Sequence, residues 1–366
     1  MEVKFTNLYK LIPEKEKIFS KIQNLIRNAQ FVGGKNLLDF EKNFANFVGS
    51  KYCVGLGNGT DALEIAVQSL HLKKNSEIIV PVNTWISTAE AVVNNGFKLV
   101  FCDINLDDYT ISIQDLKKKI NSNTRAIMPV HLYGNPSNMK DIKIIIKNKN
   151  IKIIEDCAQA HGAKIKNQHV GTIGEIGTFS FFPGKNLGAF GDGGAIVTNS
   201  KKIYEYALRA RGHGSKKKYD HKFPGRNSRL DSIHSAVLNI KLKNYKFVIR
   251  KRNKLANIYF KKLKSIKEIS LFRLNKNCSY AFHQFVIRVD KNRDNLIKYL
   301  KKNKIDTMIH YPYMLNELKF FPKGNNLKNS KNLGKKIISL PISEEHTERE
   351  INYVSKKIEE FFKKKI

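Results

Sequence analysis

Cysteine is scarce: there are four in 366 residues, at positions 53, 102, 157 and 278, and no two form a CxxC pair. That scatter argues against a disulfide framework and against a cysteine-based zinc site, and it fits a reducing cytoplasm. No apolar run reaches the roughly 20 residues that a transmembrane helix needs. The N-terminal stretch from Met1 to Leu11 lacks the apolar core of a signal peptide, so no export is expected. Acid is also short: 32 Asp plus Glu stand against 66 Lys plus Arg, a net charge of +34. Charge of that size suggests nucleic acid. However, the lysines are dispersed over most of the expected helices, as at 140–152, 241–267 and 298–304, and no nucleic-acid motif accompanies them. The expectation is therefore no nucleic-acid and no membrane partner. A positive field would still help to capture a doubly anionic small substrate. What is present is a globular composition, 41% hydrophobic and 27% charged, ample for a large core.

Apolar spacing predicts helices over 14–30 and 37–48, with Gly33-Gly34 between them. A short strand at 53–56 leads through Gly57-Asn58-Gly59 into a helix over Thr60 to Leu72. Strands are then expected at 78–82, 99–104, 126–132 and 152–155, with helices at 87–94, 112–120 and 139–147 between them. This alternation predicts an α/β domain with a mainly parallel sheet. Asn83, His131 and Glu155-Asp156 fall at strand C-termini, the edge where open α/β sheets bind ligands. A long basic helix is expected over 231–264, then a strand at 282–289, a helix at 292–302, a strand at 305–310 and a terminal helix at 347–363. The chain divides into a large α/β domain, 1–245, and a smaller C-terminal α+β domain, 246–366. The boundary is soft, because no Pro/Ser-rich linker marks it.

The most informative stretch is Phe179-Ser180-Phe181-Phe182-Pro183-Gly184-Lys185-Asn186, running on to Gly191-Asp192-Gly193-Gly194. It places Lys185 in a Gly/Pro-rich turn between two apolar runs, where a Schiff-base lysine for pyridoxal phosphate would stand. Upstream, Gly57-Asn58-Gly59-Thr60-Asp61 opens a helix. Free N–H groups and the helix dipole there suit a phosphate, or the turn is an ordinary one capped by Thr60 or Asp61. Asp156 ends an apolar run and could hold a pyridinium N–H, or simply cap the next turn. Gln159 could bond a ring oxygen or serve structure. Trp85, the single tryptophan, could stack on a cofactor ring or belong to the core. Ser180 could share a phosphate with Thr60. No second acidic or histidine cluster stands at ligand spacing, so no metal is expected.

In this order, these segments resemble the nucleotide-sugar aminotransferases of the DegT/DnrJ/EryC1/StrS family. The similarity runs from about Ile12 to the terminal helix and is strongest at 57–63, 81–91, 131–134, 155–162, 179–199 and 227–231. It implies the aspartate aminotransferase fold (PLP fold type I), a homodimer with shared active sites, and pyridoxal 5'-phosphate, present as pyridoxamine 5'-phosphate during turnover. It also implies roles. Lys185 would carry the cofactor, Asp156 would pair with the pyridine nitrogen and Gln159 would meet the ring hydroxyl. Trp85 would stack on the ring. Gly59, Thr60 and Ser180 would bind the phosphate, with the backbone N–H of Asp61. Asn227, otherwise a turn residue, would reach the phosphate in the neighbouring subunit.

The resemblance also bears on the substrate. Asn58-Gly59-Thr60-Asp61-Ala62-Leu63 looks like the 3-keto enzymes, which often read NGxDAL, rather than the 4-keto enzymes, which often read SGTAAL. Ile309-His310-Tyr311-Pro312 is similar to the segment of dTDP-3-keto-6-deoxyhexose transaminases that touches the hexose. This makes His310 and Tyr311 substrate candidates, although both could instead pack at a strand end. The implied reaction moves an amino group from glutamate to C3 of a dTDP-3-keto-6-deoxyhexose. The alternative is C4 of a 4-keto-6-deoxyhexose. Such products feed surface glycans such as lipopolysaccharide O-antigen. One departure stands out: Phe182 occupies the place where many relatives have tyrosine in SFYP, so that hydroxyl is missing. Sugar 3-dehydratases of the same fold carry histidine where Lys185 stands here.

Overall fold

The apolar runs between residues 52 and 198 build one seven-stranded sheet. In chain order its strands are β1 (Tyr52–Leu56), β2 (Glu77–Pro81), β3 (Lys98–Cys102), β4 (Thr124–Ile127), β5 (Lys152–Asp156), β6 (Ile176–Ser180) and β7 (Gly194–Thr198). Their spatial order is β1-β7-β6-β5-β4-β2-β3. The run from β3 to β6 is parallel, and β7 pairs antiparallel with both β6 and β1. Helices cover the sheet, so its inner strands bury both faces, and β6 and β7 are buried at every position. The chain has the PLP fold type I architecture expected from its sequence. The structure is a computed structural model and describes residues 1–363.

The crossover helices begin on short polar caps. Asn58, Ser112 and Asn138 each accept the backbone N–H three residues on, which satisfies a donor the helix itself leaves open. The helix Gly34–Val48 packs Phe40 and Phe44 against Phe179 and Phe181, with rings edge to face at 5.0 to 5.2 Å. That aromatic packing supports the strand leading to Lys185 from beneath. Beyond residue 263, Ile269–Leu271, Phe285–Val289 and Ile337–Leu340 form a three-stranded antiparallel sheet. The helices Arg293–Lys302 and Glu348–Lys363 accompany it. Its apolar residues, Phe285 and Ile338 among them, are continuous with Ile65, Val80 and Ile154 beneath the large sheet.

Three expectations change. The helix expected over 231–264 is two helices, Ser232–Lys243 and Tyr245–Leu263, broken at Asn244, whose φ and ψ of -101° and 7° leave the helical region. Asn244 spends its side chain on Glu14 instead, at 3.0 Å. The strand expected at 126–132 stops at Ile127, because Pro129 has no N–H for the ladder. Its carbonyl still accepts from Asp156. At 305–310 only single bridges form, Ile305 to Val3 and Met308 to Ser339. Residues 364–366 of the expected terminal unit lie outside the described residues.

Candidate active site

The C-terminal ends of β5 and β6 open into a cleft of about 680 Å³. Gly59, Thr60, Trp85, Asp156, Gln159, Ser180, Lys185, His310 and Tyr311 all line it. Residues as far apart as Gly59 and Tyr311 thus meet where ligands bind in α/β sheets.

Lys185 stands on the loop between β6 and β7. The loop is tied by Phe181 N–H to Gly193 O at 2.7 Å, Lys185 N–H to Phe182 O at 2.8 Å and Ala189 N–H to Phe181 O at 2.7 Å. Gly188 is required there, since a Cβ would lie 2.3 Å from Pro183 O. The Lys185 amine has no hydrogen-bond partner among the described residues. Burial pushes its pKa down to about 8, against the opposing pull of Asp156. Asp156 ends β5 and is buried. Its Oδ2 accepts from Thr88 Oγ1 at 2.8 Å, and its Oδ1 accepts from Ala158 N–H at 3.0 Å. The carboxylate is thereby fixed in orientation while both oxygens keep further lone pairs.

The helix Gly59–Ser69 presents its N-terminus to the cleft. Its cap is Asn58, not Thr60 or Asp61. Thr60 Oγ1 lies 2.8 Å from Ser87 Oγ. Gly59 packs so closely on β6 that a Cβ would stand 2.7 Å from Ser180 Cβ. Two hydroxyls, a third from Ser180 and the helix N-terminus therefore converge, a cradle suited to a phosphate. Trp85 leaves 58% of its surface open at the same cleft, and its ring lies 5.7 Å from Tyr311 at 46°. An open indole, an unpaired amine, a buried carboxylate and a phosphate cradle in one cleft fit pyridoxal phosphate.

On the far wall, Gln159 Nε2 donates to Tyr311 Oη at 2.9 Å, and its Oε1 accepts from Tyr133 N–H at 2.8 Å. The amide keeps one free hydrogen. Tyr311 is pushed well above the usual phenol range, by burial first. His310 shares a bond with Ser339 Oγ at 2.8 Å, and burial followed by Lys185 pushes it down to about 4. Tyr133 donates its hydroxyl to His310 O.

Two of the sequence candidates do not line the cleft. Asp61 donates its N–H to Asn58 Oδ1 at 2.7 Å, so the helix cap uses the group assigned to the phosphate, and its carboxylate pairs with Arg226 at 2.8 Å. Asn227 is exposed and outside the cleft of its own chain.

The fold also assembles a group that the spacing hid: His131, Glu155 and Cys157 offer ligand atoms within 4.8 Å of one another. Each is already engaged. Glu155 accepts N–H groups from Gly171, Ile173 and Gly174 and meets His131 Nε2 at 3.0 Å. His131 Nδ1 accepts from Ser137 N–H. Burial pushes the Glu155 carboxyl up, but the His131 bond and charge and the glycine N–H groups outweigh it and hold the group below its usual range. The cluster braces the sheet end that carries Asp156.

Sequence reasoning missed Thr88, which orients Asp156, and His283, Gln284 and Arg252, which line the cleft from the C-terminal part of the chain. The only available signal was a polar His-Gln pair interrupting the apolar run at 281–289.

A model of the DegT/DnrJ/EryC1/StrS aminotransferase family matches residues 13–359. The chain is 36% identical over 341 residues to a dTDP-3-amino-3,6-dideoxy-alpha-D-galactopyranose transaminase of Aneurinibacillus thermoaerophilus, covering 93% of each. It is 35% identical to a UDP-N-acetyl-3-dehydro-alpha-D-glucosamine 3-aminotransferase of Acidithiobacillus ferrooxidans, covering 93% of this chain and 92% of the relative. The crystal structure of Streptomyces venezuelae DesV in complex with a ketimine intermediate superposes with a TM-score of 0.95 at 32% identity, covering 98% of each chain. The chain belongs to the DegT/DnrJ/EryC1/StrS aminotransferase family and is a pyridoxal-phosphate-dependent nucleotide-sugar aminotransferase.

Proposed function

We propose that this enzyme transfers the amino group of glutamate to C3 of a dTDP-3-keto-6-deoxyhexose, giving a dTDP-3-amino-3,6-dideoxyhexose for surface glycan synthesis. The observation that carries the chemistry is the meeting of Lys185 and Asp156 in one cleft, the amine lowered to about 8 and the carboxylate buried and oriented. The C3 assignment is supported by Asn58-Gly59-Thr60-Asp61-Ala62-Leu63 and by His310 and Tyr311 on the cleft wall.

Bound there, pyridoxal phosphate supplies an electron sink that makes the hydrogen on the carbon beside the reacting nitrogen acidic. Thr60, Ser180 and the helix N-terminus at Gly59 hold its phosphate, and Trp85 covers one ring face. Asp156 holds a fixed negative charge against the ring nitrogen and keeps it protonated. Gln159 turns its remaining amide hydrogen toward the ring hydroxyl. With its pKa lowered to about 8, Lys185 Nζ is neutral in an appreciable minority of molecules near physiological pH, far more than an ordinary lysine, so it can accept the proton from Cα of the amino donor. In the second half of the cycle the same amine delivers a proton to C3 of the sugar. His310 and Tyr311 orient the hexose. Asn227 completes the phosphate site of the partner in a homodimer.

The test uses the two half-reactions. Enzyme in the pyridoxamine form is mixed with a dTDP-3-keto- or a dTDP-4-keto-6-deoxyhexose while the absorbance of lysine-bound cofactor is followed. Return of that absorbance with the 3-keto sugar alone supports the C3 reading. Return with the 4-keto sugar alone moves the reaction to C4, and no return with either overturns the assigned substrate.

A further inference from the structure

The orientation of one glutamine on the cleft wall is fixed by a chain of hydrogen bonds. Asn186, next to Lys185, donates its Nδ2 to Ala281 O at 2.8 Å. Its Oδ1 must therefore be the atom that faces His283 Nδ1, at 3.0 Å. Oδ1 only accepts, so His283 carries its proton on Nδ1 and leaves Nε2 as a bare lone pair. The neighbour of Nε2 is Gln284 Nε2, at 3.4 Å, and it donates. Each link determines the next, and the last leaves Gln284 Oε1 with no place in the chain. That oxygen is buried and has no partner among the described residues, on a side chain that is 6% exposed and lines the cleft with Lys185 and His310. Buried acceptors are almost always satisfied, and Gln284 lines the cleft, so a ligand that settles there can supply the missing donor.

We propose that Gln284 Oε1 accepts a hydrogen bond from a ring hydroxyl of the keto-sugar substrate, which makes Gln284 a specificity residue for the sugar half of the reaction. This rests on the sugar aminotransferase reading above. The amino donor does not fit the role. Both carboxylates of glutamate are acceptors and would repel Oε1, and its amine is committed to the chemistry at Lys185. A hexose hydroxyl is a donor of the right kind. His283 acts behind Gln284 as a positioning residue, since protonation at Nε2 would break the chain. Burial, with Lys185 next, keeps that imidazole neutral.

The experiment compares wild type and Gln284→Met, which keeps length and loses the amide, in the two half-reactions measured separately with loaded enzyme. The expected result is a loss of about tenfold or more in kcat/KM for the keto sugar, with the glutamate half-reaction unchanged within about twofold. In parallel, wild type is assayed with monodeoxy analogues of the keto sugar. One analogue should lose a similar factor on wild type and nothing further on Gln284→Met. Where Gln284→Met does not fold, Gln284→Leu takes its place in the same comparison, with the same outcomes expected. Equal losses in both half-reactions, or no analogue that discriminates, overturn the inference while leaving the function intact. A wild-type enzyme that accepts no nucleotide-linked keto-hexose overturns both.

Discussion

At the scale of single residues the chemistry depends on what burial does to one amine. An ordinary lysine titrates near 10.5, and Lys185 sits near 8 because the cleft wall strips its water faster than Asp156 restores the charge. In cofactor-free enzyme, acetylation of Lys185 by acetic anhydride should rise with pH through a midpoint near 8, read by peptide mass spectrometry. A midpoint near 10.5 would contradict the burial argument. Asp156 raises this pKa, so Asp156→Asn should move the midpoint lower still, while overall transamination falls by roughly 10²-fold or more through loss of the ring-nitrogen partner. Lys185→Ala should lower turnover by at least about 10³-fold in both half-reactions, the amine being base and acid in turn. Lys185 and Asp156 could be read from sequence because their neighbours are distinctive. Gln284 could not, because its significance lies in which of its two atoms is left unpaired, and that is decided by Asn186 and Ala281.

Among the elements, the helix Gly59–Ser69 carries the most consequence, since its N-terminus is the proposed phosphate cradle. Asn58→Ala removes the side-chain oxygen that accepts from Asp61 N–H, and it should cost about 1 kcal/mol of stability in urea unfolding. It also frees that N–H, so phosphate affinity should fall less than stability does, a split readable by titrating pyridoxal phosphate at fixed denaturant. Helices and strands with clean apolar periodicity stand where the sequence places them, with ends shifted by a few residues. Two of the three misread segments share a cause, the strand cut short at Pro129 being a local matter. Asn244 breaks a continuous apolar pattern by bonding Glu14, 230 positions away, and residues 305–310 find only single bridging partners. Periodicity cannot register a partner that folding alone brings near.

For the whole molecule the central question is whether one chain completes the site. Asn227 lies outside its own cleft, and the N-terminal part of the chain leaves Tyr9, Phe31, Val32 and Leu38 49 to 65% exposed, large apolar side chains that a second copy could cover. If sites are shared, mixing Lys185→Ala with Asn227→Ala after subunit exchange should restore activity neither variant has. About a quarter of wild type is expected, from half heterodimers with one intact site each. No recovery in a mixture shown to exchange subunits would place Asn227 outside the site. Local sequence by itself determined the alternation of strand and helix, and it singled out Lys185 in its Gly/Pro-rich turn, because both depend on neighbours within a few positions. Only the tertiary structure decided that residues 59, 156, 185, 284 and 310 share one cleft, that Lys185 is stripped of water, and that a glutamine oxygen is left unpaired there. Burial and hydrogen-bond saturation are properties of everything packed around a group, and no window of sequence contains them.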